Sequence, residues 1–211
     1  VGVLTGVAQK GIGVSEKVWY NTGAENPPGS YEGEPDVFVL RDILQQSANK
    51  EEANAIMAAA KRTWGIWVGV GDSASQSMDI VAYEQAAATV YSDQNITSMT
   101  LMPVMKDLVY VDKHAQPSND ESLVKVLGDL YGTLDYTTGP IAVQYHKTGD
   151  QHIAFYDFHA SEAAPEGTLT FSLGRINADG DYCPPGACDD GNSVWMAYNR
   201  PYLQFSLADL W

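Results

Sequence analysis

Thr63-Trp64-Gly65-Ile66-Trp67-Val68-Gly69-Val70 is followed by Asp79-Ile80-Val81-Ala82-Tyr83 and then by Ala87-Ala88-Thr89-Val90-Tyr91. These three short runs are rich in Val, Ile, Trp and Tyr and are parted by Gly, Ser, Asp and Gln, so they read as a meander of strands. Upstream of the meander the period changes. Pro35 opens a helix in which Val37, Val39, Leu40, Ile43 and Leu44 make an apolar face. Asn49-Lys50-Glu51-Glu52 then has the form of a capping box, with Ala53, Ile56, Met57 and Ala60 pointing inward. The short linker between the two helices predicts that they lie side by side. Further upstream, Val1-Gly2-Val3-Leu4-Thr5-Gly6 reads as a buried strand, with Gly11-Ile12-Gly13-Val14-Ser15 as its hairpin partner. Natural chain ends are usually exposed and polar, so an apolar start leads us to expect a proteolytic cut or the first ordered residue of a longer protein. The Gly-, Pro- and Asn-rich stretch from Asn21 to Pro35 predicts a long surface loop.

Downstream, Ser118-Asn119-Asp120-Glu121-Ser122 caps a third helix whose core face is Leu123, Val126, Leu127 and Leu130. Ile141 to His146 and Gln151 to Phe158 flank Lys147-Thr148-Gly149-Asp150, which predicts a hairpin. Gly167 to Leu173 adds a strand, and Ser193 to Tyr198 with Tyr202 to Phe205 is expected to close the sheet. The expected class is α+β, one domain over residues 1–211.

The chain has 211 residues, 45% hydrophobic and 10% aromatic, with 12 Lys and Arg against 27 Asp and Glu. That composition describes a globular chain and no disordered tract. A net charge of −15 repels nucleic acid and anionic membranes. The two cysteines, Cys183 and Cys188, bracket Pro184-Pro185-Gly186-Ala187. A small-loop disulfide is the favoured reading, since a redox dithiol is more often Cys-x-x-Cys and zinc needs further ligands. Asn95-Ile96-Thr97 is a glycosylation sequon. Acidity, cysteine pair and sequon together point to a secreted or lysosomal protein.

His114, His146, His152 and His159 are the four histidines, and on the expected hairpin His146 and His152 face one another. Their spacing matches no compact zinc motif, so ordinary strand and turn histidines are the favoured reading, and no metal is expected. Asn177-Ala178-Asp179-Gly180-Asp181 resembles a calcium loop but lacks its bidentate Glu.

The ordered series Val1-Gly2-Val3-Leu4-Thr5-Gly6, the strand from Gly11, Phe38-Val39-Leu40-Arg41-Asp42-Ile43-Leu44, Ser47-Ala48-Asn49-Lys50-Glu51-Glu52-Ala53, Gly65-Ile66-Trp67-Val68-Gly69-Val70-Gly71-Asp72 and Tyr83-Glu84 resembles the acid ceramidase and isopenicillin N acyltransferase-like family. The resemblance covers about the first hundred residues; the remainder, ending in Ala197-Tyr198-Asn199-Arg200-Pro201-Tyr202, fits loosely. It implies an N-terminal-nucleophile (Ntn) hydrolase: a four-layer αββα sandwich, cut autocatalytically from a precursor, whose first strands lie upstream of Val1. It also implies a cysteine nucleophile upstream, with its α-amine as base, cleaving a lipid-like N-acyl amide through a thioester. No cofactor is called for. The partner implied is the upstream chain of the same precursor, and a homo-oligomer is left open.

Carried onto this sequence, the resemblance makes Asn95 the candidate oxyanion donor in a shifted register, where it competes with glycosylation. An ungapped alignment puts Met99 in that slot, and a thioether donates no hydrogen bond. Lys113 or His114 is the candidate for orienting a substrate carbonyl, and Trp19 and Tyr20 are candidate acyl-chain contacts beside the Asn21 to Pro35 loop. The alternative is a non-catalytic secreted relative that keeps the fold for a structural or binding role. A calcium- or glycan-binding β-rich module is the remaining reading.

Overall fold

Alternating apolar residues on adjacent strands force the meander to bury both its faces, and the helices upstream supply one of the two covers. The computed structural model describes residues 2–18, 32–63, 65–96, 103–111, 120–146, 152–159, 166–176 and 194–211. The chain is mixed α and β, and its strand ladders are antiparallel. It divides into two compact units, Val1–Asp120 and Glu121–Trp211.

The first unit holds β1 (Thr5–Ala8), β2 (Ile12–Val18), α1 (Asp36–Gln46), α2 (Lys50–Ala59), β3 (Ile66–Asp72), β4 (Ser77–Tyr83) and β5 (Ala88–Tyr91). Its sheet runs β1-β2-β3-β4-β5 in sequence order. The opening hairpin forms, but its first strand starts at Thr5 and is a half-buried edge strand, not the buried one expected. Gly2 to Leu4 instead form a strap: the Val3 N–H donates to the Val37 carbonyl at 2.8 Å, and the Glu16 N–H donates to the Leu4 carbonyl at 2.9 Å. Gly11 turns the hairpin at φ +80°, and a Cβ there would overlap the Ser73 hydroxyl.

One face of this sheet packs Ile12, Val14, Ile66, Val68, Val70, Val81 and Tyr83 against Val39, Leu40 and Ile43 of α1 and Ala53 and Met57 of α2. Burying each Leu, Ile or Val side chain contributes roughly 1.5–3 kcal/mol, which outweighs the propensities of these short helices. Asn49 caps α2 as its sequence predicts, its Oδ1 accepting the Glu52 N–H at 2.9 Å. Glu52 returns the favour one residue early, accepting the Ala48 N–H at 2.8 Å. The opposite sheet face presents Trp67, Ile80 and Ala82, which cluster with Ile96 and Val109.

The second unit holds α3 (Glu121–Leu130), α4 (Gly139–His146), β6 (His152–Asp157), β7 (Thr168–Leu173), β8 (Arg175–Ile176), β9 (Val194–Trp195) and β10 (Leu203–Ser206). Leu123, Val126 and Leu127 are buried on α3, as the sequence predicts. Residues 139–146 overturn the expected hairpin: they are helix, so His146 ends α4 and does not face His152 across a β-turn. Ile141 and Val143 favour a strand, but Asp135 nucleates a helix. Its carboxylate accepts the Thr138 N–H at 2.9 Å, its carbonyl accepts the Gly139 N–H at 2.8 Å, and Pro140 suits the first turn. A Cβ on Gly139 would stand 2.8 Å from the Phe155 ring, so the glycine lets α4 lie close on β6.

β10 pairs with β7, and β7 with β6, in the order β10-β7-β6. Val194–Trp195 does not join that sheet; it pairs with Arg175–Ile176 in a separate ladder, and Ala197–Asn199 is a 3-10 turn. Thr170 and Ser172 are buried on the face toward α4 and the 3-10 turn, with the Ser172 hydroxyl donating to the Ala197 carbonyl at 2.8 Å. The strand register puts Leu169, Phe171, Leu173, Ala154, Tyr156, Leu203 and Phe205 on the other face, where Leu173 is 52% and Leu203 59% exposed.

Candidate functional site

Most of the residues singled out from sequence lie outside the described residues. Trp19, Tyr20, Met99, Lys113, His114, Cys183 and Cys188 are among them, as is the calcium-like loop from Asn177 to Asp181. Asn95 is described. It is exposed in the turn after β5, where its Nδ2 donates to the Val90 carbonyl at 3.1 Å and its Oδ1 accepts the Ser92 N–H at 2.7 Å. Both ends of the amide therefore fasten their own turn.

Two histidines in β6 and just after it are also described. Burial holds His152 below the usual histidine range. His159 is exposed, and its Nδ1 stands 3.1 Å from the Asp157 carboxylate. Among the described residues no group of three or more His, Cys, Asp or Glu side chains is arranged to hold a metal ion. No helix among them is long and apolar enough to cross a membrane.

The polar chemistry of the first unit gathers instead on the helix-facing side of its sheet, in two clusters at opposite ends of β3. At one end Asp72 and Asp79 are 1% and 5% exposed. Both share the strand parity of the buried core residues, so alternation turns them toward α2. Asp72 accepts the Lys50 N–H at the start of α2 at 3.0 Å, the Ser75 N–H at 2.6 Å and the Ser75 hydroxyl at 3.0 Å. Burial pushes its carboxyl up, but these donors and the Ala74 N–H outweigh burial and hold it below the ordinary range. Asp79 accepts the Lys50 ammonium at 3.1 Å and the Asn54 amide at 2.9 Å. This cluster ties the N-terminus of α2 to the β3–β4 turn: the Lys50 ammonium pairs with Asp79, and Asp72 is held by neutral donors.

At the other end the balance differs. Glu16 follows Ile12 and Val14 on the helix-facing side of β2, and Asp36 is the first residue of α1. Tyr83, 1% exposed, ends β4, and its hydroxyl has no hydrogen-bond partner among the described residues. Asp36 and Tyr83 line a narrow recess with Val39, Leu40, Met57 and Val68, which leaves no room for a water molecule. Burial first, then the neighbouring Asp36 charge, holds Glu16 above the ordinary carboxylate range, with Lys17 opposing. Burial raises Asp36 too, against the hydrogen bond from its own backbone N–H. Burial pushes Tyr83 up to about 12; Arg62 opposes this, while Asp36 and Glu34 add to it.

Arg62 is the side chain that organises this end, and the sequence reading missed it. Its guanidinium donates to the carbonyls of Met57 at 2.9 Å and of Ala58 and Ala60 at 3.0 Å, which closes α2. It also donates to Glu84 at 2.6 Å and Ala86 at 3.4 Å in the β4–β5 turn, and it lies 5.9 Å from the Tyr83 ring centroid. A basic residue directly after a helical run is the sequence signal that would have found it.

Over 212 aligned residues the chain is 32% identical to Protein dcd1A of Dictyostelium discoideum, covering 98% of this chain and 44% of that protein. It is 33% identical over 163 residues to Protein dcd1B of the same organism, covering 75% of this chain and 32% of that protein. The chain thus spans less than half the length of these curated relatives. No family model matches it.

Proposed function

We propose that this chain is the sheet-and-cleft portion of an Ntn-type amidohydrolase or acyltransferase, built as an αββα sandwich. The nucleophilic cysteine belongs to polypeptide outside this chain. The α-amine takes the thiol proton as the sulfur attacks the carbonyl of an N-acyl amide, and it passes that proton to the leaving nitrogen, so that a neutral amine departs as the thioester forms. Water, or an acceptor amine, then releases the acyl group. The observation that carries this reading is that each unit is an antiparallel sheet with helices on one face and apolar side chains on the other. Trp67, Ile80 and Ala82 form the second face in the first unit, and Leu169, Phe171, Leu203 and Phe205 in the second. Such half-layers are what a four-layer sandwich is made from. The far greater length of the dcd1A relative leaves room for further strands and a nucleophile. A secreted or lysosomal setting belongs to the same proposal, and the net charge of −15 supports it.

The test is to purify the whole polypeptide from its source and map its chain termini by mass spectrometry. It is then assayed on a fluorescent N-acyl amide with and without iodoacetamide. The expected result is a cleaved precursor with a mature N-terminal cysteine, turnover, and loss of turnover on thiol alkylation. No such cysteine, or turnover indifferent to alkylation, overturns the proposal.

The geometry of Asn95 favours the second reading, a non-catalytic relative. Its amide is engaged at both ends with Val90 and Ser92 in an exposed turn, so it fastens that turn rather than lining a reaction site.

A further inference from the structure

We propose that Asn95 guards the edge of the first unit's sheet. Its side-chain amide stands where a residue of a further strand would stand, and so keeps β5 from pairing with the β5 of a second copy of this chain. The inference concerns the first unit alone and holds whether or not the chain is catalytic.

β5 ends the sheet order β1-β2-β3-β4-β5, and Thr89 and Val90 on it are exposed. The Glu84 N–H donates to the Ala87 carbonyl at 2.9 Å, which fixes the alternation of the β4–β5 ladder. With Glu84 bonded to Ala87, it is Ala82 with Thr89 and Ile80 with Tyr91 that exchange hydrogen bonds across the pair. Ala88 and Val90 therefore turn their N–H and C=O groups away from β4. Continued one residue further, the same alternation turns the Ser92 N–H outward.

Asn95 takes two of these outward groups at once. Its Nδ2 donates to the Val90 carbonyl at 3.1 Å, and its Oδ1 accepts the Ser92 N–H at 2.7 Å. In a parallel ladder, one residue of the added strand donates to a carbonyl and accepts from the N–H two positions on. The asparagine amide makes that same pair of bonds with a single side chain. At the other end of the strand the Arg62 guanidinium donates to the Ala86 carbonyl at 3.4 Å. Between the two side chains lie the Ala88 groups and the Val90 N–H, a short run for another strand to grip.

Charge identifies the second copy as the strand kept out. The chain carries a net charge of −15, yet Gln85 to Ser92 holds no charged residue and no proline. An edge of that composition is a template for strand addition, and two copies of it meet antiparallel about a two-fold axis without like charges facing each other.

Sedimentation velocity on the whole polypeptide and on its Asn95→Ala and Asn95→Ser variants, over a wide range of concentration, tests the guard. Hydrogen-exchange mass spectrometry of the peptide covering β5 locates any contact. Both variants are expected to move toward twice the wild-type mass as concentration rises, with protection of β5 rising severalfold in step. Adding Thr89→Glu, which places a like charge on the exposed strand, is expected to reverse both changes. Variants that keep the wild-type mass and β5 exchange at every concentration overturn the proposal. So does association that survives Thr89→Glu or leaves β5 unprotected. Asn95→Ser retains a turn-forming hydroxyl and carries the test if the alanine variant folds poorly. Concentration-dependent protection of β5 in the wild type overturns the proposal without any variant.

Discussion

Replacing Arg62 with alanine removes the guanidinium that closes α2 and ties it to the β4–β5 turn. Of its five acceptors, the carbonyls of Ala58 and Ala86 are in exposed contacts and regain water when the side chain is lost. Those of Met57, Ala60 and Glu84 are in part-buried contacts, where replacement by water is incomplete. At about 1 kcal/mol for each part-buried bond, with a few tenths for the exposed pair, the loss is about 3–4 kcal/mol. In a unit of this size that lowers the melting temperature by roughly 12–16 °C. Arg62→Lys keeps the charge but lacks the planar fork needed to reach both segments, and it is expected to recover about a third of the loss. Local stability is to be read by hydrogen exchange mass spectrometry on peptides covering α2 and β4–β5 under increasing urea. An alanine variant costing less than about 1 kcal/mol, or a lysine variant matching the wild type, refutes the assignment of Arg62 as the link between these segments.

Asp72→Asn should remove the acid-side loss of stability in the first unit. The folded carboxyl lies below its unfolded value, so its contribution is present above roughly pH 4 and disappears as pH falls through the folded value. Urea midpoints between pH 2.5 and 6 check this, and the variant's curve is expected to be the flatter one. Gly139→Ala drives a methyl against the Phe155 ring and should destabilise the second unit by roughly 1–3 kcal/mol, with Phe155→Leu in the same chain recovering part of it. A thermal melt of both variants decides it, and additive losses would rule out the contact. Asn95→Ala should free the turn after β5 at a cost of about 1 kcal/mol, seen as faster exchange at Ser92 and Ile96. If the same variant abolishes amide turnover without unfolding the turn, Asn95 acts on substrate and its turn contacts are secondary.

The fold was legible wherever its causes were local. The cap at Asn49, the apolar spacing of Val39, Leu40 and Ile43, and the alternation in β3 and β4 depend on neighbours only a few residues away. The structure keeps all of them. The expected strand from Ile141 to His146 went wrong by weighing side-chain branching above nucleation, because Asp135 and Pro140 start a helix before β propensity counts. The candidate site was less legible. Of its sequence candidates Asn95 alone can be placed with its contacts, and those contacts serve its own turn.

The sequence by itself determined that there are paired helices, a strand meander and a strongly acidic surface, because period and charge are carried by the residues in order. Tertiary structure alone decided which charges are compensated. Asp72 and Asp79 look no different in sequence from Glu16 and Asp36. Yet Asp79 meets the Lys50 ammonium and the Asn54 amide, and Asp72 the Lys50 backbone N–H, across gaps of 22 to 29 residues, while Glu16 and Asp36 form no ion pair with a described residue. Packing sets those distances, and electrostatic energy depends on separation in space and on the dielectric between the charges, neither of which follows from position along the chain.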